Sequence, residues 1–291
     1  MQSMSVTRYI PGKINLFLDV LGKRPDGYHE LRTIFLPVSE PLDEVSVRPL
    51  ATAGLEVACS HPGVPGGEAN ICWRAAQAFA GAAGVEPIWR VEIAKRIPVA
   101  AGMGGGSADA AATLVALNEL CGNSLSMAVL HELAAGIGAD VPFFLNPRPA
   151  LGEGIGDRLR PVPLACDLSL VLVNPGFPVP VRWSYANLNR VSRPPVPDSN
   201  ALLAAMAAGD FAGIAAGVHN ALEYAVRDKF PVVDMLRDAM LAAGCATVAV
   251  SGSGPTLFGL VDGNPAPVAE AIRAEYGDEV WIQSSRVEAH G

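Results

Sequence analysis

The stretch IPVAAGMGGGSADAA, Ile97 to Ala111, limits how this chain can fold more than any other. Four glycines, three of them consecutive (Gly104, Gly105, Gly106), lead straight into an alanine-rich helical pattern. Glycine loses more backbone freedom on folding than any other residue. Such a run is costly unless the backbone needs positive φ or a close approach. N–H groups at the start of a helix favour an anion. The sequence therefore predicts a strand, a glycine loop and a helix whose first turn receives a phosphate, with Ser107 as the helix cap. A tight strand-to-helix turn with no ligand is the alternative. Two familiar phosphate loops do not fit. Gly106 is followed by Ser107 without the lysine of a Walker loop. The pattern G-x-G-x-x-G/A ends on Ser107 when started from Gly102 and on Asp109 when started from Gly104. Asp109 suits the helix dipole but would repel a phosphate, so it is expected to point away.

Upstream, KINLFLDV alternates: Ile14, Leu16, Leu18 and Val20 fall on one face of a strand, and Lys13, Asn15, Phe17 and Asp19 on the other. GKRPDGYHEL reads as a loop around Pro25 and Asp26-Gly27. NICWRAAQAFAGAAG reads as a helix opened by Asn70 and ended by a glycine. ADVPFFL is expected to be extended, because Pro142 biases Val141 away from helix. The turn-rich GEGIGDRLRPVPLACD reads as a domain junction, giving domains over 1–160 and 161–291. Beyond it the sequence predicts a buried strand at LSLVLVNPG, an exposed linker at VSRPPVPDS, and helices over Asn200–Ala208 and Phe211–Ala225. A further helix at VVDMLRDAMLAAG, two strands joined by SGSGP, a helix and a last strand near EVWIQ complete it. Strands and helices mix without a regular βαβ rhythm, so the fold class is α+β.

The formal net charge of -8 argues against a nucleic-acid partner or an anionic membrane surface. The N-terminal MQSMSVTRYIPGK has no apolar leader core, and no apolar run reaches the roughly 18 residues of a membrane span. The five cysteines are scattered and never spaced C-x-x-C, and the five histidines do not cluster with them. That pattern suits reduced thiols in a cytoplasmic protein, without structural zinc. Nothing in the sequence specifies an oligomeric state.

PVAAGMGGGSADAA resembles the phosphate-binding motif of the GHMP kinases, the superfamily of galactokinase and the homoserine, mevalonate and phosphomevalonate kinases. PGKINLFLDV resembles its N-terminal motif and SGSGPTLFGLV its C-terminal glycine-rich motif, so the likeness runs from Pro11 to Val261. It implies a ribosomal-protein-S5-like N-terminal domain, a ferredoxin-like C-terminal domain, and transfer of the γ-phosphate of ATP, with Mg2+, to a small alcohol. GKINLFLDVLGKRPDGYHEL, GADVPFFL and GEGIGDRL are most similar to the branch that phosphorylates the C2 hydroxyl of a cytidylyl methylerythritol diphosphate.

By this resemblance Lys13 and Asp140 are the catalytic pair: Asp140 accepts the proton, and Lys13 orients it and stabilises developing charge. From the bare residues alone they would be an ordinary ion pair. The nucleotide falls to Asn70, Pro98, Ala100, Ala101, Gly102, Met103, Gly104, Gly105, Gly106 and Ser107. Asn70 is equally explained as a helix cap, and the two roles are compatible. The substrate falls to Asn15, Tyr28, His29, Tyr185, Gly252 and Gly254, with Tyr28 and Tyr185 stacking on cytosine and His29 bonding its edge. Trp183 rivals Tyr185. Gly252 and Gly254 also suit a plain turn between strands. Glu153 and Asp157 are candidates for a metal link, but the sequence shows no defined magnesium ligand set, and Ser107 is a candidate donor. An S5-like RNA-binding module is disfavoured by the acidic balance, and a dinucleotide oxidoreductase by the failed fingerprint.

Overall fold

A computed structural model describes residues 5–290. The N-terminal stretch read above for a leader core begins, at Met1–Met4, outside the described residues. Contacts divide the chain into two compact units. One takes residues up to Gly12, Leu42–Val99 and Gly104–Pro147; the other takes Lys13–Pro41, Ala100–Met103 and everything from Arg148 on.

Two long strands, β1 (Val6–Lys23) and β2 (His29–Pro49), pair side by side and each passes from one unit into the other. In the first unit β3 (Gly54–Cys59) is followed by helix α1 (Ile71–Ala83) and β4 (Ile88–Ala94). β4 alternates strictly, burying Trp89, Val91 and Ile93, as a half-buried strand should. It pairs antiparallel with Glu44–Pro49 of β2 and parallel with β3. α1 buries Cys72, Ala75, Ala76, Phe79 and Ala80, a 3–4 spacing that turns one face inward, and ends at Gly84 with φ +66°. α2 (Gly105–Leu120) is buried on most of its circumference, which its small alanines permit. α3 (Met127–Ile137) is capped by Ser126.

The segment expected to be extended is instead a short helix, α4 (Val141–Phe144). Pro142 sits in its first turn, where the missing N–H would have had no helical acceptor anyway.

In the second unit β2 pairs with β5 (Ala150–Gly154), and β5 forms a hairpin with β6 (Arg158–Pro161). The turn-rich stretch read as a junction is thus largely this hairpin. β7 (Leu168–Asn174) then enters a second sheet, and α5 (Val181–Ala186) and α6 (Ser199–Ala208) follow. The single helix expected over Phe211–Ala225 is broken into α7 (Phe211–Gly217), β8 (His219–Asn220) and α8 (Glu223–Lys229). The cause is tertiary: β8 pairs in parallel with Phe17 and Leu18 of β1. α9 (Pro231–Ala242), β9 (Thr247–Val250), β10 (Leu257–Val261), α10 (Ala266–Tyr276) and β11 (Trp281–Val287) complete the chain. β11-β7-β10-β9 is an antiparallel sheet with the strand order of a ferredoxin-like β-α-β-β-α-β unit. Val171, Val173, Val250, Leu257, Leu236 and Met240 pack its core. All five cysteines are free, and no described helix is long and apolar enough to cross a membrane.

Candidate active site

The two faces of β1 are less different than alternation suggests. Lys13 is 4% and Asn15 2% exposed, so both polar side chains are buried. Buried polar groups must find partners, and here they form a chain. Lys13 Nζ donates to Asn15 Oδ1 (2.6 Å), Asn15 Nδ2 donates to Thr33 Oγ1 (2.8 Å), and Thr33 Oγ1 donates to the carbonyl of Phe17 (2.7 Å). The Lys13 ammonium also lies 5.1 Å from the centroid of the Phe35 ring, within cation–π range.

The SGSGP turn between β9 and β10 approaches this chain. Gly252 has φ +55°, and a Cβ on it would stand 3.0 Å from the Gly102 carbonyl, 3.2 Å from Asn15 Oδ1 and 3.4 Å from Lys13 Nζ. Gly254, at φ +81°, also requires glycine. A residue missed by sequence reading fixes this turn. Asn220, fully buried, donates to the carbonyls of Val250 (2.6 Å) and Gly252 (2.8 Å) and accepts from Leu222 N–H (2.9 Å). Glu223 accepts from Val250 N–H (3.1 Å). The available signal was a polar pair, His219-Asn220, interrupting an alanine-rich run.

The glycine loop divides in its duties. Ala100–Met103 belongs to the second unit. Ala101 and Met103 bury their side chains and offer backbone only: the Ala101 carbonyl accepts from Thr256 N–H (3.3 Å) and that of Met103 from Lys13 N–H (2.9 Å). Gly102, at φ +79°, has no room for a Cβ because the Ser251 carbonyl occupies that place. Ser251 Oγ also donates to the Gly102 carbonyl (3.0 Å). Gly102 is therefore required by the packing of two glycine-rich segments. Ala100 is held at φ +52°, a region L residues rarely occupy.

In the first unit Gly104 (φ +73°) is the cap of α2, and the helix begins at Gly105. This corrects Ser107 as the cap; it is the third helical residue. The first ladder bond runs from Ala108 N–H to the Gly104 carbonyl (2.9 Å), so the N–H groups of Gly105, Gly106 and Ser107 have no acceptor within the helix. Gly106 is exposed, and a Cβ there would meet only Ile71, at 3.9 Å. Pro98 lies half-buried at the start of the loop. Asn70 caps α1, its side chain accepting from Cys72 N–H (2.9 Å) and donating to the Pro65 carbonyl (2.7 Å). Asp140 precedes α4 with helical dihedrals, and its half-buried side chain does not cap that helix.

Asp109 does point away from the first turn's N–H groups. It bonds Lys95 Nζ (2.8 Å), and Lys95 also pairs with Asp43. Burial, with Asp43 adding to it and Lys95 opposing it, raises the Asp109 carboxyl to about 8. The folded state thus holds a proton that the unfolded chain releases near its ordinary value of about 3.9. Stability from this group is complete below that value and is lost as pH rises toward 8. Between pH 5 and 8.5 the melting temperature of the native chain should fall relative to Asp109→Asn. A drop of at least about 3 °C is expected, the scale of 1 kcal/mol in a chain of this size. Parallel melting curves for the two proteins would refute it.

The third group sits on the β1–β2 hairpin of the second unit. Asp26 Oδ1 accepts from Tyr28 N–H (3.0 Å), which holds its carboxyl below the usual range, and Arg24 forks to Asp26 (3.0 Å) and Glu30 (2.9 Å). This turn presents Tyr28, 60% exposed, and His29, whose ring stacks on Tyr185 at 4.9 Å and 21°. Trp183 instead packs edge-on against Phe230 (5.8 Å), both half-buried against the core of the ferredoxin-like sheet. Glu153 pairs with Arg32 (3.4 Å) and Asp157 accepts from Ile155 N–H (3.2 Å). No three or more His, Cys, Asp or Glu side chains gather into a metal site among the described residues.

The GHMP kinases N terminal domain family matches residues 70–147, and the GHMP kinases C terminal family matches residues 202–278. A 4-diphosphocytidyl-2-C-methyl-D-erythritol kinase of Geobacter sp. (strain M21) is 43% identical over 265 residues, 91% of this chain and 92% of that protein. A crystal structure of a 4-(cytidine 5'-diphospho)-2C-methyl-D-erythritol kinase superposes with TM-score 0.81 at 36% identity, covering 98% of this chain and 100% of that one. Homoserine kinase from Cytophaga hutchinsonii, at 20% identity, TM-score 0.77 and coverage of 99% and 96%, shares the fold. With both family domains matched in order and relatives this similar across nearly the whole length, the chain belongs to the GHMP kinase family, among its 4-diphosphocytidyl-2-C-methyl-D-erythritol kinases.

Proposed function

We propose that this chain transfers the γ-phosphoryl group of ATP to the C2 hydroxyl of 4-diphosphocytidyl-2-C-methyl-D-erythritol, a step of the non-mevalonate isoprenoid pathway. In this structure the reading rests above all on the hairpin that sets His29 against Tyr185 and leaves Tyr28 open for stacking. Phosphoryl transfer asks the protein for position and charge rather than covalent chemistry. Asp140 takes the hydroxyl proton, Lys13 orients it and offsets developing negative charge, and Asn15 bonds the substrate while holding Lys13. The uncapped N–H groups of Gly105–Ser107 receive the ATP phosphates, and Asn70 serves the adenine while capping α1. Gly252 and Gly254 let the backbone approach the substrate's diphosphate.

Mg2+ is commonly held by one or two protein oxygens together with phosphates and water, so no side-chain cage is needed. The Ser107 hydroxyl, in the first turn of α2, is the oxygen this loop offers to it. When bound, the ion neutralises phosphate charge. The reading places the enzyme in the cytoplasm, where its free cysteines would stay reduced. A substrate panel with ATP and Mg2+ tests it: the cytidylyl alcohol should turn over and homoserine and mevalonate should not. Preference for either of the latter would overturn the assignment.

Base–aromatic stacking is worth about 1–3 kcal/mol. Tyr28→Ala and Tyr185→Ala should each raise the KM of the cytidylyl substrate by roughly one to two orders of magnitude, leaving the KM of ATP unchanged. His29→Ala should relax the choice of cytidine over uridine. Trp183→Ala should lower the melting temperature without changing that choice. A silent Tyr185→Ala beside a specificity-breaking Trp183→Ala would reverse the two assignments.

A further inference from the structure

Beneath the first turn of α2 lies a buried ionic cluster that the proposed chemistry does not use. Lys95 is gripped by Asp43 and Asp109, with side chains 0–4% exposed in all three. Burying charges is costly, and apolar residues of similar volume often hold a fold as well. The cluster therefore calls for a reason beyond cohesion, and its geometry supplies one.

Asp43 Oδ1 accepts from the N–H groups of Arg96 (2.6 Å) and Ile97 (2.8 Å), the residues that lead into the glycine loop. Lys95 Nζ lies against Gly105: a Cβ there would stand 2.8 Å from the ammonium. The first helical residue thus rests directly on the charge, with no side chain between. Asp109, one turn further along α2, closes the grip from the helix side (2.8 Å). Its other oxygen, Oδ1, is buried without a hydrogen-bond partner. Strand end, loop start and helix start are tied to one ammonium.

We propose that Asp43, Lys95 and Asp109 form a positioning strut that holds the first turn of α2 where its backbone N–H groups receive the nucleotide phosphates, with Asp109 as the residue that sets the helix on it. This rests on the reading of Gly105–Ser107 as the phosphate site. The hydrogen bond from Lys95, not the negative charge of Asp109, carries the function. A protonated Asp109 leaves one carboxylate and one ammonium, so no net negative charge stands behind the phosphates.

The test compares kcat, both KM values and melting temperature for the native enzyme, Asp109→Leu, Asp109→Asn and Gly106→Val. Asp109→Leu leaves Lys95 paired with Asp43, which preserves the fold; Asp109→Ala replaces it where leucine overfills the site. The expected result is a rise of about tenfold or more in the KM of ATP, with kcat at saturating ATP and the KM of the alcohol little changed. Asp109→Asn, which keeps an acceptor for Lys95, should restore the native KM of ATP. Gly106→Val, on the open side of the turn, should raise it. A native KM of ATP in Asp109→Leu beside an impaired Gly106→Val overturns the strut and leaves the phosphate site standing. A native KM in Gly106→Val removes the phosphate reading itself. Asp109→Asn as impaired as Asp109→Leu also overturns the strut.

Discussion

Replacing Lys13 with methionine is expected to slow phosphoryl transfer by about two to three orders of magnitude, the usual loss on removing one preorganised charge from a transition state. Methionine keeps the length and apolar stem of the side chain, so contact with Phe35 survives. Part of the cost falls on Asn15, whose Oδ1 loses the donor now 2.6 Å away. Leaving one buried acceptor unpaired costs about 1–3 kcal/mol, which a chain of ordinary stability tolerates. Single-turnover transfer and a thermal melt separate the two effects. A folded Lys13→Met enzyme with near-native transfer would remove Lys13 from the mechanism.

Asp140→Asn should be equally damaging, by roughly 10²–10⁴ in kcat, because the amide keeps the size of the carboxylate but accepts no proton. The fold should survive, because the amide matches the carboxylate in size and the short helix α4 is anchored by buried Val141, Phe143 and Phe144. The KM of ATP and of the alcohol should stay within about threefold of native, since an interaction used only in the transition state shows in kcat. Loss expressed entirely in KM would make Asp140 a binding residue instead.

How far each of these residues was legible depended on the range of its interactions. Lys13 and Asn15 could be put on one strand face by alternation, which is local. Alternation could not reveal that this face is buried too, because Thr33 and Gly252 come from elsewhere in the chain. Asn70 was readable as a cap from the helix it opens. Helix α4 was misread because the bias that proline imposes on its predecessor is a statistical one, and the first turn of a helix accepts proline. The break at His219-Asn220 had no local cause; β1 imposes it by pairing. Electrostatics alone set the carboxylate of Asp109 apart from the helix's first N–H groups, yet its partners Asp43 and Lys95 lie too far away in sequence for spacing to pick them out.

The passage of β1 and β2 through both units bears on how the chain is made. The second unit is assembled from three separate segments. Ile14, Leu16, Ile34 and Leu36, all fully buried at the end, leave the ribosome long before β8 and the ferredoxin-like sheet exist. β1 and β2 can pair with each other early, but loop closure to later segments delays folding, and their apolar side chains, exposed meanwhile, invite aggregation. Neither unit is a contiguous cassette that could be excised or shuffled alone. The nascent chain depends on being completed, or shielded, before its earliest strands can settle.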